Sequence, residues 1–175
     1  MAAKTSVFYL TERVTCTAAG TDVTDTIDLG AYVDVADRQG ILVHSVDFTF
    51  QGTTPGEQLP ITFGAGALAV CQVTDLNRGA LVFNDDRALV ASAGLAYDAD
   101  GFMSRDQDIY PDNFGPTSAQ GGRIVINDQM YIRGRVNALA GGKELNIVAR
   151  IKCSVINLSQ KDFMAIALQS TAADN

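Results

Sequence analysis

The 175-residue chain contains no tryptophan, one histidine (His44), four prolines and three cysteines. A single histidine leaves little material for the Ser–His and Cys–His pairs or His-rich metal clusters on which much hydrolytic and metal-dependent chemistry rests. Cys16, Cys71 and Cys153 are too few and too scattered for a disulfide framework or a Cys-x-x-Cys metal knuckle, and they read as small core residues in a reducing compartment. No stretch approaches the roughly 20 apolar residues of a membrane-spanning helix, and the N-terminal region lacks a signal-peptide core. Positive charge is also short. Thirteen Lys and Arg against twenty Asp and Glu give a net charge of -7, which argues against an electrostatic nucleic-acid binder or a sensor of anionic membranes.

What is present is apolar and rich in strand formers. Hydrophobic residues make up 47% and charged residues 19%, enough to build a core, and the length fits one domain spanning 1–175. Period-two alternation dominates. In 146–157, Ile147, Ala149, Ile151, Cys153 and Val155 share one face, with Arg150, Lys152 and Ser154 on the other. In 129–139, Met130, Ile132, Val136 and Ala138 oppose Tyr131, Arg133, Arg135 and Asn137, and Ala140-Gly141-Gly142-Lys143 predicts a hairpin joining the two strands. In 41–51, Leu42, His44, Val46, Phe48 and Phe50 fall on one face and Ser45, Asp47 and Thr49 on the other, joined there by Ile41 and Val43.

Shorter β-rich runs lie at 5–10, 12–18, 23–29, 68–73, 80–84 and 123–127, separated by Gly- and Pro-bearing loops. Helix is expected chiefly after Ser159, which can cap a segment with Asp162 in its first turn and Phe163, Ile166 and Ala167 at helical spacing. The segment 87–96 reads either way. The pattern predicts an all-β fold, a single jelly-roll β-sandwich or barrel with a short C-terminal helix. An immunoglobulin-like sandwich is the alternative, weakened by the absence of Trp.

Candidate sites each have a plain structural account. Gly64-Ala65-Gly66-Ala67-Leu68-Ala69 imitates a dinucleotide fingerprint, but that mechanism needs a following helix in a βαβ unit, so a glycine-lined bend is preferred and no cofactor is expected. Asp98, Asp100, Asp106, Asp108 and Asp112 gather carboxylates around a loop without the glycine spacing or closing glutamate of an EF-hand, which favours a solvated acidic loop over a metal site. The Asp25/Asp28 and Asp34/Asp37 pairs suit turns and caps as well as acid–base work. His44 reads as a hydrogen-bonded residue of the apolar face. Arg133 and Arg135, extended by Arg150 and Lys152 on the expected neighbouring strand, form a candidate basic patch for subunit contact, with pairing to local acids the competing account. Asn157-Leu158-Ser159 matches a glycosylation sequon but fits a helix cap.

The strands Asp28–Val35, Ile41–Gln51 and Asn127 through Cys153, in a small, acidic, cysteine-poor chain, resemble those of small major capsid proteins of tailless, membrane-containing icosahedral phages and archaeal viruses, the sphaerolipovirus-like group. The resemblance covers most of the chain but rests on size and strand pattern rather than on a diagnostic motif. It implies a single upright β-barrel in oligomeric capsomers covering an internal membrane. It further implies a structural virion protein assembled in the host cytoplasm, with no catalysis and no small-molecule substrate. Expected partners are other copies, with the N-terminus available for strand exchange, and other capsid subunits. Direct contact with nucleic acid is not expected, because no basic arm is present. A jelly-roll carbohydrate-binding module with a calcium site is the alternative, for which Tyr97, Phe102, Tyr110 and Phe114 are the candidate platform.

Overall fold

The alternating segments become strands of two antiparallel five-stranded sheets in the computed structural model, which describes residues 2–107 and 122–172. In sheet A, β1 (Ala2–Ala3) and β2 (Phe8–Cys16) both pair with β10 (Leu145–Asn157), which pairs on its other side with β4 (Gln39–Gln51), followed by β8 (Arg123–Val125). Sheet B runs β3 (Val23–Asp28), β9 (Gln129–Val136), β5 (Ala67–Thr74), β6 (Leu89–Tyr97) and β7 (Met103–Gln107). Pairing β2 with β10, β3 with β9, β4 with β8 and β5 with β6 is the wind of a jelly roll, as the pattern predicts. Two helices complete the described chain: α1 (Leu59–Thr62) and α2 (Gln160–Ala172). The runs 5–10 and 12–18 merge into β2, 87–96 becomes β6, and 80–84 is loop.

One expectation is corrected here. The strands β9 and β10 do not form a hairpin; their connection crosses from sheet B to sheet A. Both strands have an inner apolar face, and the fold sets these faces toward each other across the sandwich, leaving the edges of β10 to β2 and β4 and those of β9 to β3 and β5. The contact is close at Gly134, where an added Cβ would lie 3.0 Å from both Ile147 Cδ1 and Val14 Cγ2. Ile147, Ala149, Ile151 and Cys153 are all fully buried in the core with Met130, Ile132 and Val136.

A second correction concerns β4. Val43 pairs with Cys153 and Ser45 with Lys152, so β4 carries one extra residue there. Such a bulge reverses which side chains point inward. Ile41 and Val43 therefore enter the same core as Val46, Phe48 and Phe50, while Leu42 lies in a second cluster outside it. His44 leaves the main core: its Nε2 shares a 3.0 Å hydrogen bond with Ser154 Oγ.

That second cluster seats α2. Ile166 and Phe163 pack on Leu42, Ile124, Ile126, Ile156 and Leu158, covering one end of the outer face of sheet A. The helix starts where the sequence predicts: Ser159 Oγ accepts from the Asp162 amide and donates to the Asp162 carboxylate.

The outer face of sheet B is covered differently, by the loop between β5 and β6. Gln72 clamps it, its side-chain amide donating to Val82 O at 2.7 Å and accepting from Val82 N at 2.8 Å. Arg123 fastens both ends of the loop: from β8 its guanidinium donates to Asp75 Oδ2 at 2.7 Å, to Leu89 O at 3.3 Å and to Arg87 O. Burial pushes the Asp75 carboxyl above its ordinary range, against the pull of Arg123.

Candidate functional site

The outer face of sheet A beyond α2 is set by three registered rows. Tyr9, Lys152 and Ser45 form the first, Thr11, Arg150 and Asp47 the second, and Arg13, Val148 and Thr49 the third. Alternation in β2 and β10 places these side chains opposite the core-facing Leu10, Val14, Ala149 and Ile151. Arg13 and Arg150 are exposed, Lys152 and Val148 are half-buried, and Tyr9 is 58% exposed. Adjacent positions on one face bring side chains within about 5 to 8 Å, so the three cations form one group. Asp47 is the acid in these rows, and it pairs with Arg105, whose guanidinium lies 3.7 Å away. Among the described residues, Arg13, Arg150 and Lys152 enter no ion pair.

The basic patch expected from the sequence is therefore divided. Arg150 and Lys152 stay together, but Arg133 and Arg135 lie on β9 in the opposite sheet. Arg133 is only 5% exposed and cannot present its charge to a neighbour. Its Nε donates to Thr24 Oγ1 at 2.8 Å, Nη1 to Ala80 O at 2.5 Å and Nη2 to Asn77 Oδ1 at 3.3 Å, so it holds the covering loop. Arg135 is half-exposed and pairs with Asp22 at 3.6 Å. Sequence reasoning missed Arg13. Reading 8–16 as one strand finds it, because Tyr9, Thr11, Arg13 and Thr15 then share a face.

The remaining candidates resolve into local structure. Ala67–Thr74 after the glycine pair is strand β5, not helix, so the fingerprint lacks its phosphate-binding element. Gly66 sits at φ +68° in the bend before β5, a left-handed conformation that suits glycine. Asp98 Oδ1 accepts from the amides of Asp100 and Phe102, closing the turn between β6 and β7. Asp108 and Asp112 lie outside the described residues, as do Tyr110 and Phe114 of the candidate sugar platform. Tyr97 stacks on Phe63 with ring centres 6.3 Å apart, while Phe102 is exposed. Among the described residues no group of three or more His, Cys, Asp or Glu is placed to hold a metal ion. Asp28 accepts from Gly30 N, and Asp34 from the amides of Ala36 and Asp37, as turn residues do.

All three cysteines are free and buried. Burial raises each thiol, Cys16 to about 11 and Cys153 to about 12, which leaves them inert at neutral pH. Burial and neighbouring Lys152 lower His44.

No protein-family model matches the sequence, and no curated protein matches it either. The fold is similar to chains in three viral structures. With a nora virus structure the identity is 9% and the TM-score 0.36, over 89% of this chain and 58% of that chain, so the protein spans little more than half of the viral chain's length. With Desmodium yellow mottle tymovirus the identity is 9% and the TM-score 0.33, over 89% of this chain and 91% of that one. With VP1 of Trichodysplasia spinulosa-associated polyomavirus, determined in complex with sialylated precision glycooligomers, the identity is 10% and the TM-score 0.37, over 87% of this chain and 96% of that one.

Proposed function

We propose that the protein is a structural virion component: a major capsid protein whose copies associate into capsomers of an icosahedral shell, without catalytic activity. A fold alone does not set a function, and the jelly roll hosts many. The observation that carries the reading is the exposed outer face of sheet A. It is a registered surface bearing an aromatic and three cations against one acid, Asp47, which pairs with Arg105 instead, the composition of a protein contact rather than of a ligand cleft. The sequence resemblance to small phage and archaeal-virus capsid proteins supports the same role, with residues 1–175 acting as one jelly-roll unit. On this reading Arg150 and Lys152 are subunit contacts. Arg135 serves only if its pair with Asp22 opens, and Arg133 keeps to the loop.

The N-terminal strand is the natural element for exchange. β1 pairs with Ile156 and Asn157 at the end of β10, and the same register made with a neighbour's β10 links two copies at little cost. An internal membrane between shell and genome accords with the net charge of -7, which disfavours direct contact with nucleic acid. Electron microscopy of the purified protein at high concentration tests the proposal. Rings or shells of uniform size are expected, whereas a strict monomer by sedimentation up to near-millimolar concentration sinks it.

A further inference from the structure

The exposed charges of this fold are segregated. The rows of sheet A collect Arg13, Arg150 and Lys152 on one face, where they repel one another. The edge strand β3, in sheet B, does the opposite: Asp25 and Asp28 are exposed on a strand without Lys or Arg, and Asp34 and Asp37 follow in the loop to β4. The cations on adjoining β9 do not neutralise this edge, since Arg133 is buried beneath the loop and Arg135 is held by Asp22. Arg38 is the lone cation of that following loop. A chain with seven excess negative charges thus keeps three of its thirteen cations, among the described residues, outside any ion pair on one face, while the β3 edge and the loop after it carry exposed acids, Asp25 and Asp28 projecting to opposite sides of the strand.

We propose that the basic outer face of sheet A in one protomer docks onto the acidic β3 edge of a second copy. The inference rests on the coat reading and specifies its contact surfaces. The two surfaces share no residue, so the contact is heterologous, and its repetition closes a ring or extends a lattice, as a shell subunit requires. Tyr9 beside Lys152 and Val148 beside Arg13 add apolar contact at two points among the cations, and the opposed charges set orientation and association rate. Because the charges are exposed, association weakens as salt rises.

The test uses sedimentation of the full chain and two charge-reversed variants, at low salt and at about 0.5 M salt, where the screening length falls to a few ångströms. The face variant is Arg13→Glu with Arg150→Glu. The edge variant is Asp25→Lys with Asp28→Asn, the asparagine keeping the bond to Gly30 N. Wild-type association is expected to weaken at least tenfold in high salt, and each variant alone to associate at least tenfold more weakly than wild type. An equimolar mixture of the two should recover association, because each reversed surface then meets its complement. Wild-type protein that stays monomeric throughout overturns both the docking and the coat reading. Wild-type association that neither reversal alters, or variants that the mixture fails to rescue, overturns the docking alone. Circular dichroism checks folding; if a reversal unfolds the chain, Arg150→Gln and Asp25→Asn take its place, and each must weaken association and flatten its salt dependence. Salt-sensitive binding of a short DNA duplex by the wild type, lost in the face variant while association persists, assigns the face to a polyanion and likewise overturns the docking.

Discussion

The outer faces of the two sheets carry arginines in equivalent alternating positions and use them in opposite ways. On sheet B, Arg133 disappears beneath the loop between β5 and β6 and spends three donors on Thr24, Ala80 and Asn77. On sheet A, Arg150 stands exposed, with no covering segment among the described residues. The difference lies in what crosses each face, not in the strands. A buried guanidinium with satisfied donors organises structure, whereas an exposed one contributes little to the monomer and is available to a partner.

The sharpest way to break this contrast is to release the covering loop at its base. Arg123 and Asp75 have side chains only 8% and 12% exposed, and Arg123 binds both ends of the loop. Arg123→Met leaves the Asp75 carboxylate buried without its counter-charge, and removing one partner of such a pair costs about 3 to 5 kcal/mol. Urea denaturation measures this loss. A cost below about 1 kcal/mol, the net value of one ordinary hydrogen bond, would show that the pair does not secure the loop.

The next comparison sets the two faces directly against each other. Arg133→Met strands the acceptors on Thr24, Ala80 and Asn77 and should cost about 1 to 3 kcal/mol. Arg150→Met, on the bare face, should stay within about 0.5 kcal/mol of wild type. Equal costs in chemical denaturation would erase the distinction between a covered and an open sheet.

A smaller effect marks where the open face ends. Ser159→Ala removes the side-chain cap of α2, with an expected loss of about 1 kcal/mol, localised to the helix covering Leu42, Ile124 and Ile156. Hydrogen exchange should show faster exchange in α2 with β9 unchanged. Uniform acceleration across both sheets would mean that α2 is integral to the whole sandwich rather than a lid on one end.

These faces also show what the sequence could and could not reveal. Alternation identified the inner side of β9 and β10 because Ile132, Ile147 and Ile151 repeat every second residue, and only one side of each strand offers continuous burial. It could not show that the two strands face each other instead of pairing, since either arrangement satisfies a period of two. The bulge at His44 was hidden for a related reason: one inserted residue reverses the phase, yet leaves a run such as Ile41–Phe50 apolar on both readings. Burial of Arg133 depends on a loop more than fifty positions earlier, so no local pattern carries it. Ser159 was legible because a cap is local chemistry. Of the candidate site, Arg150 and Lys152 were legible because they share one strand, whereas Arg133 and Arg135 were grouped with them only through the mistaken hairpin.

The bulge supplies the smallest and most specific measurement on the open face. It turns His44 away from the main core, beside Lys152 and within 3.0 Å of Ser154 Oγ. Partial burial and then the Lys152 charge lower its affinity for a proton below the ordinary value of 6.5. The folded chain therefore binds fewer protons at this site than the unfolded chain in the window just below pH 6.5. Stability from this group is complete above that value, declines as pH falls through it, and levels off below the folded pKa. Carboxylates titrate in the same acid range, so the difference between wild type and His44→Gln isolates the histidine. The wild type should lose stability relative to the glutamine variant between pH 7 and pH 5, with the two curves parallel above pH 7. A difference that stays constant across the range would show that His44 titrates alike in both states, and that the bulge does not hold it against Lys152.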